Sequence, residues 1–182
     1  MVDVMGNIIL IFLLSAVTWP SHADELSNKI FNKINERMSL MPDVAIYKAN
    51  NNLPIEDLER EALILKVSTS ISEKRGLDVK SYQIFLGSLI SSAKTIQYRV
   101  RAESASNKKD RLIARDLKAM VRPELLRLGD EINKDIYEYL RSGRNFSDCQ
   151  YEYFKQIVTN PYLKESDKTV IFEALKQVRL KA

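Results

Sequence analysis

Apolar residues recur along this chain with a helical period from end to end. Leu26, Ile30, Ile34 and Met38 share one face of a first helix. Pro42 then bends or restarts the chain, and Val44, Ala45 and Lys48 continue along one side. Asn50-Asn51-Asn52 reads as a loop, and Pro54 suits the first turn of the next helix. That helix is predicted to end at Lys74-Arg75-Gly76, cations followed by the residue that most readily adopts a left-handed stop. Asp78 caps another helix with Tyr82, Phe85, Leu86, Leu89, Ile90, Ala93 and Ile96 on its stripe.

Ala102 to Asn107 is small and polar, and is predicted to be a loop. A long helix is predicted over Asp110 to Arg141, with Ile113, Leu117, Val121, Leu125, Leu128, Ile132 and Ile136 facing inward. Two shorter helices, Ser147 to Thr159 and Ser166 to Leu180, close the chain on either side of Pro161. No stretch alternates with a strand period over a useful length, and neither repeats nor an interdomain linker interrupt the pattern. The expectation is an all-α, single-domain bundle of about six helices.

The first residues stand apart. Ile8 to Val17 is an apolar core of secretory length, and Ser21-His22-Ala23 is a small-x-small cleavage pattern. The run is too short to span a bilayer, and Trp19-Pro20 breaks it. Asp3 precedes the core with no Lys or Arg, so either the amino terminus alone supplies the positive charge or translation starts at Met5. The expectation is a signal peptide over 1–23, a helical domain over 24–182, a periplasmic or secreted mature protein, and no membrane association after cleavage. Its 28 basic and 23 acidic residues give +5, spread along the chain without a Lys/Arg block. That pattern describes a solvated surface and argues against nucleic acid as a partner.

Composition removes several chemistries. His22 is the only histidine and leaves with the signal, so neither a Ser-His-Asp nor a Cys-His group can form. Cys149 stands alone, which excludes an internal disulfide and thiolate metal clusters; it is expected to be a small packing residue, with intermolecular cross-linking open to it in an oxidising compartment. No glycine-rich phosphate loop exists. Tyr137, Tyr139, Tyr151, Tyr153 and Phe154 are expected to pack helices rather than to hold a cofactor.

The residues left to explain are polar ones on or beside apolar stripes: Arg37, Lys48, Arg60, Gln97 and Arg122. Eleven residues of continuous helix turn through 1,100°, about 20° from three full turns, so Arg37 and Lys48 would share a face. Such a cation either snorkels to water along a packed stem or meets an anion. Four cations without a matching acidic run repel one another unless an anion lies between them, and a small molecule with at least two negative charges fits.

These residues carry a resemblance. Arg37, Lys48 eleven positions on, and Leu53-Pro54-Ile55-x-Asp57-x-x-Arg60-Glu61 resemble the first half of an all-helical chorismate mutase. Ile96-Gln97-Tyr98-Arg99 resembles the end of that family's next long helix, and Asp116-Leu117 with Arg122-Pro123-x-Leu125 the segment that supplies its last arginine. The resemblance runs from about Ile30 to Leu128 and, with the leader, is to the secreted subclass.

It implies a site enclosed within one chain, a cofactor-free and metal-free Claisen rearrangement of chorismate to prephenate, and chorismate as the small-molecule partner. By position it implies that Arg37 and Arg122 hold the two carboxylates and that Lys48 and Gln97 donate to the ether oxygen. Arg60 would complete the cationic wall. Asp57 and Glu61 are candidates for the ring hydroxyl, although Asp57 also suits a helix amino terminus and either acid could orient Arg60. Homodimer formation stays open. Two positions depart from the pattern: Ala93 stands where the family usually has Ser or Thr, and Leu89 where a polar residue is common. They motivate the alternative of a non-catalytic helical module that binds an anionic metabolite or a partner protein. Lys94 is expected to be a solvated face residue or a buttress near the site.

Overall fold

A computed structural model describes residues 22–106 and 113–182, with side chains from residue 25 onward. The 1–23 leader therefore falls almost wholly outside the described residues. Seven α-helices follow one another: α1 His22–Ser39, α2 Met41–Asn50, α3 Leu58–Arg75, α4 Val79–Ser106, α5 Arg122–Arg141, α6 Tyr151–Ile157 and α7 Glu165–Lys176. A π-helical turn, Leu117–Val121, leads into α5, and a 3-10 turn, Asp148–Gln150, leads into α6. Leu40 alone separates α1 from α2, and Pro42 sits in the first turn of α2 as the sequence suggests. Counting that pair as one bent rod gives six helices, the predicted all-α bundle. The extended pairing among the described residues is an isolated antiparallel bridge between Leu77 and Leu180.

The α4 helix is the central support. It packs against α2, α3 and α7, while α1 lies along α5 and α6. The predicted stripes bury: Ile30, Ile34, Met38, Phe85 and Ile96 have no exposed surface. Phe31 anchors the carboxyl-terminal end, with its ring centroid 5.2 Å from Phe154 and 6.2 Å from both Phe146 and Phe172. Tyr139 and Phe154 are buried, and Tyr137 and Tyr151 pack against the core, while Tyr153 is 42% exposed. Cys149 is exposed rather than packed, with its Sγ 3.0 Å from the Ser147 hydroxyl.

Four boundaries differ from the sequence reading, each for a local reason. Pro54 lies in the loop and α3 starts at Leu58, because Asp57 takes the capping role and accepts the Arg60 N–H at 3.1 Å. The α4 helix continues to Ser106 because Ala102-Glu103-Ser104-Ala105-Ser106 contains no Gly or Pro to stop it, and the Ser104 and Ser106 hydroxyls donate to carbonyls one turn back. The predicted helix from Asp110 starts late: residues 113–116 are irregular, Asp116 caps the π-turn, and Ile113 is 97% exposed instead of facing inward. Finally, α6 and α7 are shorter than expected, and residues 177–182 turn back on the α3–α4 corner, where the Lys181 N–H donates to Gly76.

Candidate active site

The two stretches that carry the suspected residues end in local structures suited to presenting side chains. Lys48 occupies the last turn of α2, where a cation suits the negative end of the helix dipole. Asn52 then takes a left-handed conformation with φ of 53°, which Asn tolerates well, and the chain reverses so that the Leu53 N–H returns to the Lys48 carbonyl at 2.8 Å. This brings the Ile55 carbonyl under the Lys48 ammonium, which donates to it. Arg60 follows in the first turn of α3, next to the positive end of a helix, where a cation is unfavourable. Arg122 opens α5 directly after the π-turn, an element found frequently at functional sites.

All five polar residues from the apolar stripes line one cavity of about 170 Å³, together with Asp57 and Glu61. The walls come from α1 through α5 and the π-turn. Apolar side chains of Val44, Ile64, Leu86, Leu89 and Leu125 separate the charged groups. The volume is close to that of an engineered protein cavity, about 150 Å³, that accepts benzene, so it is of small-ligand size.

The electrostatics of the cavity are strained. Arg37 is only 8% exposed, with one terminal nitrogen donating to the Leu125 carbonyl at 2.9 Å and its Nε without a partner. Burial disfavours its charged form, and the nearby Tyr82 ring only partly offsets this. Burial likewise lowers the Lys48 pKa; Asp57 and Glu61 oppose the shift, and Arg122 and Arg60 add to it. Arg60 is pushed down by burial and then by Arg122. Among the described residues, none of these four cations forms an ion pair with a carboxylate. Like charges gathered in a partly buried cavity, offset only in part by Asp57 and Glu61, destabilise the site, and a dianion would reverse that.

The acids are engaged elsewhere. Asp57 caps α3, and a Glu61 oxygen accepts the Asp57 N–H at 3.4 Å. The other Glu61 oxygen takes the Lys94 ammonium at 3.1 Å, which raises the Lys94 pKa. Lys94 thus lines the cavity as a buttress, one of the two roles its sequence position suggests. Gln97 is 5% exposed; its Nε2 donates to the Ala93 carbonyl at 3.2 Å, and its Oε1 has no partner. Ala93 and Leu89 both face the cavity, so the two departures from the family pattern fall on the site itself.

Sequence reasoning missed the backbone carbonyls of Ile55 and Leu125 that hold Lys48 and Arg37, because an acceptor on the main chain has no residue signature. It also missed Asn133, 2% exposed and lining the far end, which the α5 periodicity puts one step from Ile132. Among the described residues, no group of three or more His, Cys, Asp and Glu side chains is arranged to hold a metal ion.

Known proteins resemble this chain in sequence and fold. Residues 20–98 match the family described as chorismate mutase type II. The monofunctional chorismate mutase of Enterobacter agglomerans is 34% identical over 169 residues, 93% of this chain and 92% of that protein. The secreted chorismate mutase of Yersinia pestis is 34% identical over 148 residues, 81% of this chain and 79% of that protein. The crystal structure of the Yersinia enzyme superposes with a TM-score of 0.77 at 32% identity, covering 84% of this chain and 98% of that one. A chorismate mutase structure from Burkholderia phymatum shares the fold at a TM-score of 0.71 and 16% identity, covering 87% of this chain and 99% of that one. With a relative this similar over nearly its whole length, the chain belongs to the chorismate mutase family.

Proposed function

We propose that this protein is a chorismate mutase that rearranges chorismate to prephenate within the α1–α5 cavity, using its own side chains and no cofactor. One observation carries the reading: three guanidinium groups and one ammonium from separate helices converge on a single small cavity, and among the described residues none of them forms an ion pair with a carboxylate. A dicarboxylate supplies the missing counter-charge. The reaction is intramolecular, so it needs no nucleophile and no proton transfer, in keeping with a mature chain that lacks histidine.

Arg37 and Arg122 take the two carboxylates, for which the planar guanidinium fork offers paired donors. The Arg37 Nε, buried and unpartnered, is one such donor. This clamp holds the compact conformer in which the reacting carbons meet, replacing orientational freedom with fixed geometry. As the C–O bond of the ether stretches, its oxygen gains negative charge. Lys48 gives one N–H to Ile55 and keeps two for that oxygen. Gln97 adds a neutral amide donor by turning its Nε2 away from the Ala93 carbonyl. Both donors act in a half-dry cavity, where aligned charge stabilises the transition state more than water does. Arg60 completes the cationic wall, and Glu61, steadied by Lys94, faces the ring hydroxyl.

The protein acts outside the cytoplasm after loss of residues 1–23, a reading supported by the leader pattern and by a relative named as secreted. Mass spectrometry of the exported protein tests this, and an intact amino terminus refutes it. The activity test is the loss of chorismate absorbance with purified mature protein and detection of prephenate. Turnover above the buffer rate is expected. Thermal stabilisation by chorismate without prephenate would instead identify a non-catalytic binding module.

A further inference from the structure

Arg122 is the cation whose placement is hardest to explain from its own surroundings. It follows four irregular residues and a five-residue π-turn, and it faces two other cations, Lys48 and Arg60, that repel it. This repulsion favours a swing of the turn away from α2. Burial of Leu117 and Val121 keeps the turn against the core, but apolar contact is non-directional and does not set its orientation.

Directed bonds set it instead. Asp43, in the first turn of α2, holds Arg115 through three donors: the Arg115 N–H to one carboxylate oxygen at 3.0 Å, and Nε and one terminal nitrogen to the other at 2.8 and 2.6 Å. The next residue, Asp116, accepts the N–H groups of Lys118 and Ala119 at 2.8 and 2.7 Å. Its carbonyl takes those of Met120 and Val121, both at 3.0 Å, and the Arg122 N–H closes on Leu117. An unbroken series of bonds therefore runs from Asp43 to the backbone of Arg122. Asp43 lies on the same helix as Lys48, so the series ties the Arg122 turn to the helix whose charge repels it.

We infer that Asp43 and Arg115 are positioning residues, an ion-pair clasp outside the cavity that fixes Arg122 against repulsion and so sets the affinity for the dianionic substrate. The inference rests on the reading that Arg122 binds a substrate carboxylate. The Arg115 side chain is 50% exposed, so the pair adds little to folding, and its loss is read in substrate binding.

The test measures kcat and KM for chorismate, with thermal midpoints, in Asp43→Ala, Arg115→Ala, Arg122→Ala and the Asp43→Ala/Arg122→Ala double variant. Asp43→Ala and Arg115→Ala should each raise KM about tenfold and lower kcat several-fold, since Arg122 both binds a carboxylate and holds the compact conformer, and modest misplacement of a positioning group costs up to about a hundredfold in rate. The midpoint of Arg115→Ala should stay near that of the unmodified protein. In the Arg122→Ala background, Asp43→Ala should change nothing further, because the group it positions is gone. KM within twofold of the unmodified protein for both single variants, or effects of Asp43→Ala and Arg122→Ala that multiply, overturns the clasp while leaving the mutase reading intact. An unmodified protein that turns over no chorismate overturns both.

Discussion

Truncating Lys48 to Ala separates catalysis from stability more sharply than any other change at the site. The ammonium is half-buried and anchored by one bond to the Ile55 carbonyl, and burial first, with Arg122 and Arg60 adding to it, lowers its pKa. Its remaining donors act mainly on charge that develops as the ether bond breaks, so their loss raises the barrier more than it weakens ground-state binding. One preorganised donor of this kind is worth about 3–4 kcal/mol, a drop in kcat of about a hundredfold to a thousandfold. The same change removes repulsion with Arg60 and Arg122, and this offsets the packing of the lost stem. The thermal midpoint should therefore stay within about 3 °C, the shift expected for about 1 kcal/mol in a domain of this size. The assay is steady-state chorismate consumption paired with a melting curve. Turnover within threefold of the unmodified protein, with the fold intact, would remove Lys48 from the chemistry.

Three further outcomes follow from particular contacts. Lys48 must stay protonated to act, and because burial, Arg122 and Arg60 lower its pKa, kcat/KM should fall with rising pH before the ordinary lysine value of about 10.4 is reached. Bound dianion favours the charged amine, so the alkaline limb of kcat should lie higher than that of kcat/KM; coincident limbs would refute the assignment. Ala93→Ser adds a hydroxyl at a cavity-lining position 8% exposed, and one neutral hydrogen bond of about 1 kcal/mol should lower KM several-fold; an unchanged or raised KM argues against a carboxylate beside residue 93. Gly76 has φ of +95°, and a Cβ there would meet Tyr137 Cε2 at 3.4 Å, so Gly76→Ala should cost about 1–2 kcal/mol by urea denaturation with kcat nearly unaltered. An unchanged urea midpoint would show that the α3 stop does not require the left-handed conformation.

Much of this protein was legible from the order of its residues. A period of 3.6 fixes which side of each helix is apolar, so the buried faces of α1, α4 and α5 follow from local pattern alone. Gly76 and Asp78 end and begin helices through backbone preferences that act within a few residues. The exclusion of paired-thiol chemistry needed only composition, while that of histidine chemistry rests also on the proposed loss of the leader that carries His22. Boundaries were less legible where two local signals compete: Pro54 and Asp57 both suit a helix start, and the side-chain cap won. The π-turn before Arg122 was invisible, because a single extra residue in a helical turn leaves the apolar pattern of Leu117 and Val121 intact.

Convergence of the five polar residues in space was beyond periodicity. Arg37 and Arg122 are separated by most of the bundle in sequence and meet because α1 packs along α5, a long-range outcome of burying two stripes at once. Which atoms hold Arg37 and Lys48, the carbonyls of Leu125 and Ile55, depends on the path of the main chain and leaves no trace in side-chain type. Sequence thus determined the helices, their inward faces and the chemistry available; tertiary packing decided that unpaired cations share one cavity, because only three-dimensional closure brings distant charges within range of a single anion.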